Sequence, residues 1–182
     1  MAPGGAQERY AITPDLSTHA KILAGGLPGG CVAGREDVLS MLEFRENDDA
    51  WNSRHRIPHQ GTYNAQPPAA AAGITALRII EAGNVTERAD ATTATLVRGL
   101  NALFSKRDVP GSAWAVSSMW HLNLGYEAPQ PKEVEWDAIE SPRGVSVQLE
   151  TPLKQALLNH GVDLMGSGGM VSSAHGSAEI NA

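Results

Sequence analysis

The chain has 182 residues, with 14 Lys and Arg against 20 Asp and Glu, a formal net charge of −6. That length holds one good core or two small lobes, and an acidic balance without any basic run argues against a nucleic-acid binder. Apolar residues at 42% and charged residues at 19% are ordinary for a globular chain, and the single cysteine, Cys31, excludes an internal disulfide framework or a cysteine-cluster zinc site. The longest mostly apolar stretch, Pro67 to Leu77, is too short to cross a bilayer. The first residues lack the basic and apolar regions of a signal peptide, so a cytoplasmic address is the default expectation.

Gly4 to Tyr10 reads as a connection leading out of a strand, and Thr13-Pro14-Asp15 as a turn. Leu16 to Ala24 is predicted as a short buried strand, closed by the glycine reversal at residues 25–30. Cys31-Val32-Ala33 suits another strand, which would make Cys31 a small core residue. Glu36 to Phe44 spaces Val38, Leu39, Met41 and Leu42 as a helix, with Glu36 and Asp37 in its first turn. Residues 45–66 are polar and irregular, and a long loop in a compact chain is often functional. Pro67-Pro68 opens a helix over Ala69 to Ala82, ended by Gly83, with Ala70, Ile74, Leu77 and Ile80 along one face. A second helix follows from Asn84, with Glu87 three residues on, to about Lys106.

After the Asp108–Gly111 turn, Trp114 to Val116 and Met119 to Leu124 read as an antiparallel strand pair. Gly125 to Lys132 is a loop, Pro152 to Asn159 a short helix ending near Gly161, Val171 to Ala174 a last strand, and Ser177 a helix start. The pattern suggests two lobes, strand–turn–helix to about residue 83 and a smaller α+β unit thereafter.

Lys21 stands out chemically. It lies among mainly apolar neighbours in Thr18-His19-Ala20-Lys21-Ile22-Leu23-Ala24. A lysine in such a strand would be desolvated, which favours the neutral, nucleophilic amine needed for Schiff-base chemistry; the bland alternative is a strand-end lysine that snorkels to water. Gly61-Thr62, on the loop before the Pro67-Pro68 helix, offers a hydroxyl and backbone N–H groups to a phosphate. The six histidines form no metal pattern, since Pro58 separates His55 from His59 and the others are scattered; no metal is expected. There is no Gly-x-Ser-x-Gly elbow and no nucleotide P-loop.

In order, Gly4-Gly5-Ala6-Gln7-Glu8-Arg9-Tyr10, Lys21-Ile22-Leu23-Ala24-Gly25-Gly26-Leu27-Pro28, Gly34-Arg35-Glu36-Asp37, Gly61-Thr62-Tyr63-Asn64-Ala65 and Gly161-Val162-Asp163-Leu164-Met165 resemble the class III aminotransferases. These are pyridoxal-phosphate enzymes of fold type I, and the likeness is strongest to the branch containing glutamate-1-semialdehyde 2,1-aminomutase. Ala20 departs from the glycine usual before the family's lysine.

The resemblance implies an α/β chain: the remainder of a fold type I, PLP-binding large domain over residues 1–83, followed by a small α+β C-terminal domain over residues 84–182. The family's first half and its final helix would lie outside this chain. Lys21 would hold pyridoxal 5'-phosphate and move the proton; Gly61 and Thr62 would contact the cofactor phosphate, typically that of the neighbouring subunit of a homodimer. The implied reaction is amino-group transfer on a small amino/keto or semialdehyde substrate. The alternative is a catalytically incompetent fragment that acts at most as an assembly partner.

Overall fold

The computed structural model describes residues 2–125 and 144–181. The described chain divides into two compact units, Pro3–Gly83 and the residues from Asn84 onward. No helix among the described residues is long and apolar enough to cross a membrane.

The first unit opens with helix α1 (Gly5–Tyr10), where the Gly4 N–H donates to Glu8 Oε2 at 2.6 Å. Strand β1 (Leu16–Ala20) pairs antiparallel with β2 (Gly30–Gly34), Leu16 opposite Gly34 and Ala20 opposite Gly30. The strand expected to continue to Ala24 stops at Ala20. Lys21 adopts a φ of +59°, and Lys21–Ala24 wind into a 3₁₀ turn capped by Gly25 at φ +61°. A left-handed residue cannot extend a strand, so the backbone itself ends β1 there. Both strands are largely exposed rather than buried, Cys31 included, because among the described residues each pairs only with the other and no element closes over their faces to form a core.

Helix α2 (Glu36–Leu39) passes into a 3₁₀ turn at Ser40–Leu42 instead of running to Phe44. The reason is competition for carbonyls: Ile57 N–H donates to Met41 O at 2.8 Å and Arg56 Nε to Leu42 O at 3.1 Å. The polar loop contains helix α3 (Asp49–Arg54), whose N-cap Asp48 accepts the Trp51 N–H at 2.9 Å. Asn52 brackets Arg45, accepting its N–H at 3.0 Å and donating to its carbonyl at 2.7 Å. Arg45 in turn lies over the Trp51 ring, 3.5 Å from its centroid.

Helix α4 (Pro67–Ala82) begins with prolines at its first positions, where a missing N–H costs nothing. Its buried residues are Ala69 and Gly73, not the Ile74–Leu77 face, which stays about half exposed (51% and 46%). Small residues win because the helix approaches the Lys21–Ala24 turn very closely: a Cβ on Gly73 would collide with the Leu23 carbonyl oxygen. Gly83 ends α4 in extended conformation (φ −117°, ψ 177°), not in the left-handed cap its position suggests.

The second unit is better packed. Helix α5 (Val85–Lys106) starts after Asn84, which makes no side-chain cap. Strands β3 (Gly111–Val116) and β4 (Met119–Leu124) form the expected hairpin, and β5 (Gly168–Met170) pairs with β4. The last strand therefore lies before Val171. Its register needs a glycine, because a Cβ on Gly168 would strike the Trp120 carbonyl oxygen. Helix α6 (Val147–Asn159) begins five residues before Pro152, which lies inside the helix beyond its first turn and removes one of its N–H donors, and α7 (Ser177–Ile180) is a single turn. Beyond Gly125 the loop expected to Lys132 lies outside the described residues. Ala113, Trp120, Leu122 and Val171 form the buried core, with Leu96, Val97, Leu100 and Phe104 of α5 packed on it. Asn101 staples α5 to the sheet edge, exchanging two 2.8 Å bonds with the Ala113 backbone.

Candidate active site

Lys21 sits where β1 gives way to the 3₁₀ turn. Ala20 before it is fully extended (φ −151°, ψ −166°), and the left-handed Lys21 then redirects the chain. A non-glycine residue held at positive φ is uncommon, and such outliers concentrate at functional sites. Two contacts maintain it: β1 is anchored by its ladder with β2, and Gly73 of α4 presses on Leu23 just behind the turn. The expected desolvation is not what the structure has. Lys21 is exposed, since the 3₁₀ turn buries only Ala24 and carries Lys21 on the outside.

An ion-pair cluster lies at the opposite end of β1 from this amine. Arg35, at the end of β2, engages Asp37 through Nε and Nη2 at 2.9 and 2.7 Å and Asp15 through Nη1 at 2.7 Å. Asp37 first, then Asp15, raise the guanidinium above its ordinary pKa. The clamp ties the start of β1 to the end of β2, at the end of the ribbon away from Lys21. Among the described residues Lys21 makes no hydrogen bond or ion pair. Sequence reasoning did not assign Arg35 or Gly73 a role, though Arg35 lies inside one of the quoted family words. Their signal was spacing: an acid before β1, an Arg-x-Asp after β2, and a glycine within an alanine-rich helix start.

Gly61 and Thr62 lie in an exposed turn in which Asn64 N–H donates to Gly61 O at 3.0 Å. Thr62 has no partner for its hydroxyl or its N–H among the described residues. The helix that follows adds few donors, because Pro67 and Pro68 carry no N–H and Ala70 N–H is spent on Gln66 O at 3.0 Å. Any anion here would be received by the turn, not by the helix N-terminus. No hydrogen bond among the described residues joins Lys21 to Gly61 or Thr62. In the second unit, a cavity of about 170 Å³ is lined by Val145, Leu153, Leu157 and Leu164 with Glu150 and Lys154, and contains none of these residues.

The donor set fits pyridoxal phosphate in kind: an unpaired primary amine for an aldehyde, and a free hydroxyl with backbone N–H groups for a phosphate. The comparisons with known proteins agree. The Aminotransferase class-III family matches residues 4–172. Glutamate-1-semialdehyde 2,1-aminomutase of Laribacter hongkongensis is 31% identical over 185 aligned positions, covering all of this chain and 40% of that protein. An omega-transaminase from Sphaerobacter thermophilus superposes with a TM-score of 0.75 at 27% identity, over 98% of this chain and 38% of its own. A transaminase solved with PLP bound shares the fold at a TM-score of 0.70 and 22% identity, over 97% of this chain and 38% of its own. The chain thus spans about two fifths of the length of these relatives. Its mixed α/β architecture is that of the PLP-dependent transaminases and aminomutases, and the chain belongs to the class-III aminotransferase family.

Proposed function

We propose that this chain carries the lysine-bearing part of a pyridoxal 5'-phosphate-dependent enzyme that transfers or relocates an amino group, of aminotransferase or glutamate-1-semialdehyde 2,1-aminomutase type. The observation that carries the reading is Lys21: a strained backbone position, held from behind by Gly73, presenting an amine that pairs with no carboxylate among the described residues. Residues 1–83 are the remainder of the cofactor-binding large domain and residues 84–182 the small C-terminal domain. The relatives' names support a small amino/keto or semialdehyde substrate.

In this reading Lys21 Nζ would hold the cofactor's aldehyde carbon and, once displaced from it by the substrate's amine, would accept the substrate's α-proton and return it at the far end of the shift. The Thr62 hydroxyl and the N–H groups of the Gly61-Thr62 turn would hold the phosphate, which the family resemblance implies is that of the neighbouring subunit of a homodimer. Pyridoxal phosphate, when bound, supplies the electron sink for the reaction. A cytoplasmic setting accords with the chain's composition. The alternative, an incompetent fragment that works only as an assembly partner, is favoured by the exposure of Lys21, since such chemistry runs in water-excluded sites.

The test is borohydride trapping. The purified chain is mixed with pyridoxal phosphate and reduced, and the modified lysine is located by peptide mass spectrometry. The expected product is a phosphopyridoxyl group on Lys21, absent in Lys21→Ala. Labelling spread equally over Lys106 and Lys154 would overturn the assignment. Thr62→Val should weaken cofactor binding about tenfold, the loss of one charge-assisted hydrogen bond of ~1.5 kcal/mol.

A further inference from the structure

In the second unit, the turn that follows β5 is held closed by one histidine ring. Val171, buried in the core, donates its N–H to Ser118 O at 2.9 Å and fixes the end of the strand. Beyond it, the Ser172 N–H donates to His175 Nδ1 at 3.0 Å, and Ser172 Oγ lies 3.0 Å from the same nitrogen. Ser172 Oγ also accepts the Ala174 N–H at 3.3 Å, and the His175 N–H donates to Ser172 O at 3.1 Å. Arg88 of α5 ties the turn down from outside, its Nη2 donating to Ser173 O at 3.1 Å. Helix α7 starts directly after this turn and lies against α5.

A backbone N–H can only donate, so Nδ1 in this turn has to be an unprotonated acceptor. The ring is therefore neutral with its proton on Nε2, and the Ser172 hydroxyl turns its hydrogen toward Nδ1. An imidazolium, by contrast, carries an N–H on both nitrogens and accepts nothing. It would set one donor against another across the 3.0 Å now spanned by the Ser172 bond. The ring is exposed, so solvent protons reach it.

We infer that the Ser172–His175 turn is an acid-released latch: uptake of a proton at His175 Nδ1 breaks its bond to the Ser172 N–H and loosens the joint between β5 and α7. Histidine is the side chain whose charge changes between about pH 5 and pH 8, which places the release in that range. The charged groups around the ring offer no replacement. Glu179 of α7 acts on His175 electrostatically, but its Oε2 is committed to the Gly176 N–H at 2.7 Å. Arg88 of α5 is engaged with Ser173 O, and Asp90 of α5 accepts the Ser117 hydroxyl at 2.6 Å. Strand β5 has no titratable side chain. The latch lies wholly within the second unit and is independent of the chemistry assigned to Lys21.

The test follows the full 182-residue chain by nuclear magnetic resonance, from about pH 8 to about pH 5. At the upper end, the ring nitrogen shifts of His175 should show Nδ1 unprotonated and the proton on Nε2. As the ring gains its charge, exchange of the Ser172 amide, corrected for its intrinsic rate, should quicken about tenfold, the loss of one hydrogen bond. In His175→Asn the side-chain carbonyl takes the place of Nδ1 but does not titrate, so the amide should stay protected and pH-flat. In His175→Ala it should be fast throughout. Retained near-ultraviolet signal from the Trp120 core shows that each variant still folds its second unit. A ring protonated on Nδ1 at the upper end, native protection that ignores pH, or full protection in His175→Ala would each overturn the latch. So would an acid step that persists in His175→Asn, which would place the titration on Glu179 or Asp90 instead.

Discussion

At Lys21 the backbone carries as much meaning as the side chain. A lysine at φ +59° costs energy that surrounding contacts must hold in place, and the tightest of these is Gly73 against Leu23. Gly73→Ala should therefore act beyond its own site. The added methyl meets a backbone carbonyl that cannot swing away, so the 3₁₀ turn must shift, at a cost of about 1–3 kcal/mol. Borohydride labelling of Lys21 should fall in this variant although it leaves the lysine itself intact. Unchanged labelling with an unchanged urea midpoint would show that α4 does not set the lysine. The candidacy of Lys21 was legible in the sequence. Its exposure was not, because an apolar neighbourhood along the chain says nothing about whether another element covers it.

Among the elements, the short helices depend on single capping groups. Asp48 closes α3 through the Trp51 N–H, so Asp48→Ala should destabilise that helix by about 1 kcal/mol, read as increased solvent quenching of Trp51 and faster exchange at its amide. At α7, the Glu179 carboxylate accepts the Gly176 N–H at 2.7 Å, and this bond, with a second backbone bond, holds its pKa below the ordinary carboxylate value. The folded-state pKa is depressed, so its stabilisation is complete above the ordinary glutamate pKa. It is lost as pH falls through the depressed one. Amide exchange at Ile180 and Asn181 should quicken across that acid window in the native chain and be pH-flat, after correction for intrinsic rates, in Glu179→Gln. Helix existence was readable from periodicity and caps for α4 and α5. Their packing faces were less so: in α4 the close approach to the 3₁₀ turn selects Ala69 and Gly73 over larger neighbours, a distance no periodicity encodes. The displacement of β5 to Gly168–Met170 has the same origin, since only glycine fits against the Trp120 carbonyl.

Across the whole molecule, stability is unevenly distributed. Ala113, Trp120, Leu122 and Val171 give the second unit a core with α5 against it, whereas the first unit buries little more than two alanines and a glycine. Hydrogen exchange of the chain alone should show slow amides in α5, β3 and β4 and near-intrinsic rates in β1 and β2. Trp120→Ala should cost the second unit about 3–5 kcal/mol without altering exchange in Leu16–Ala20. Coincident loss of protection in both units would show a single cooperative fold instead.

The sequence by itself determined the kinds of element, the order of the motifs and the family, because these depend on residue type and local spacing. It placed the β3–β4 hairpin and both long helices, where turn chemistry and periodicity agree. Tertiary structure alone decided where β1 stops, which face of α4 is buried, that Arg35 clamps Asp15 and Asp37 across the end of the ribbon, and that the lysine-bearing unit stands open. Each of those outcomes depends on what lies across from a residue in space, and spacing along the chain does not carry that information.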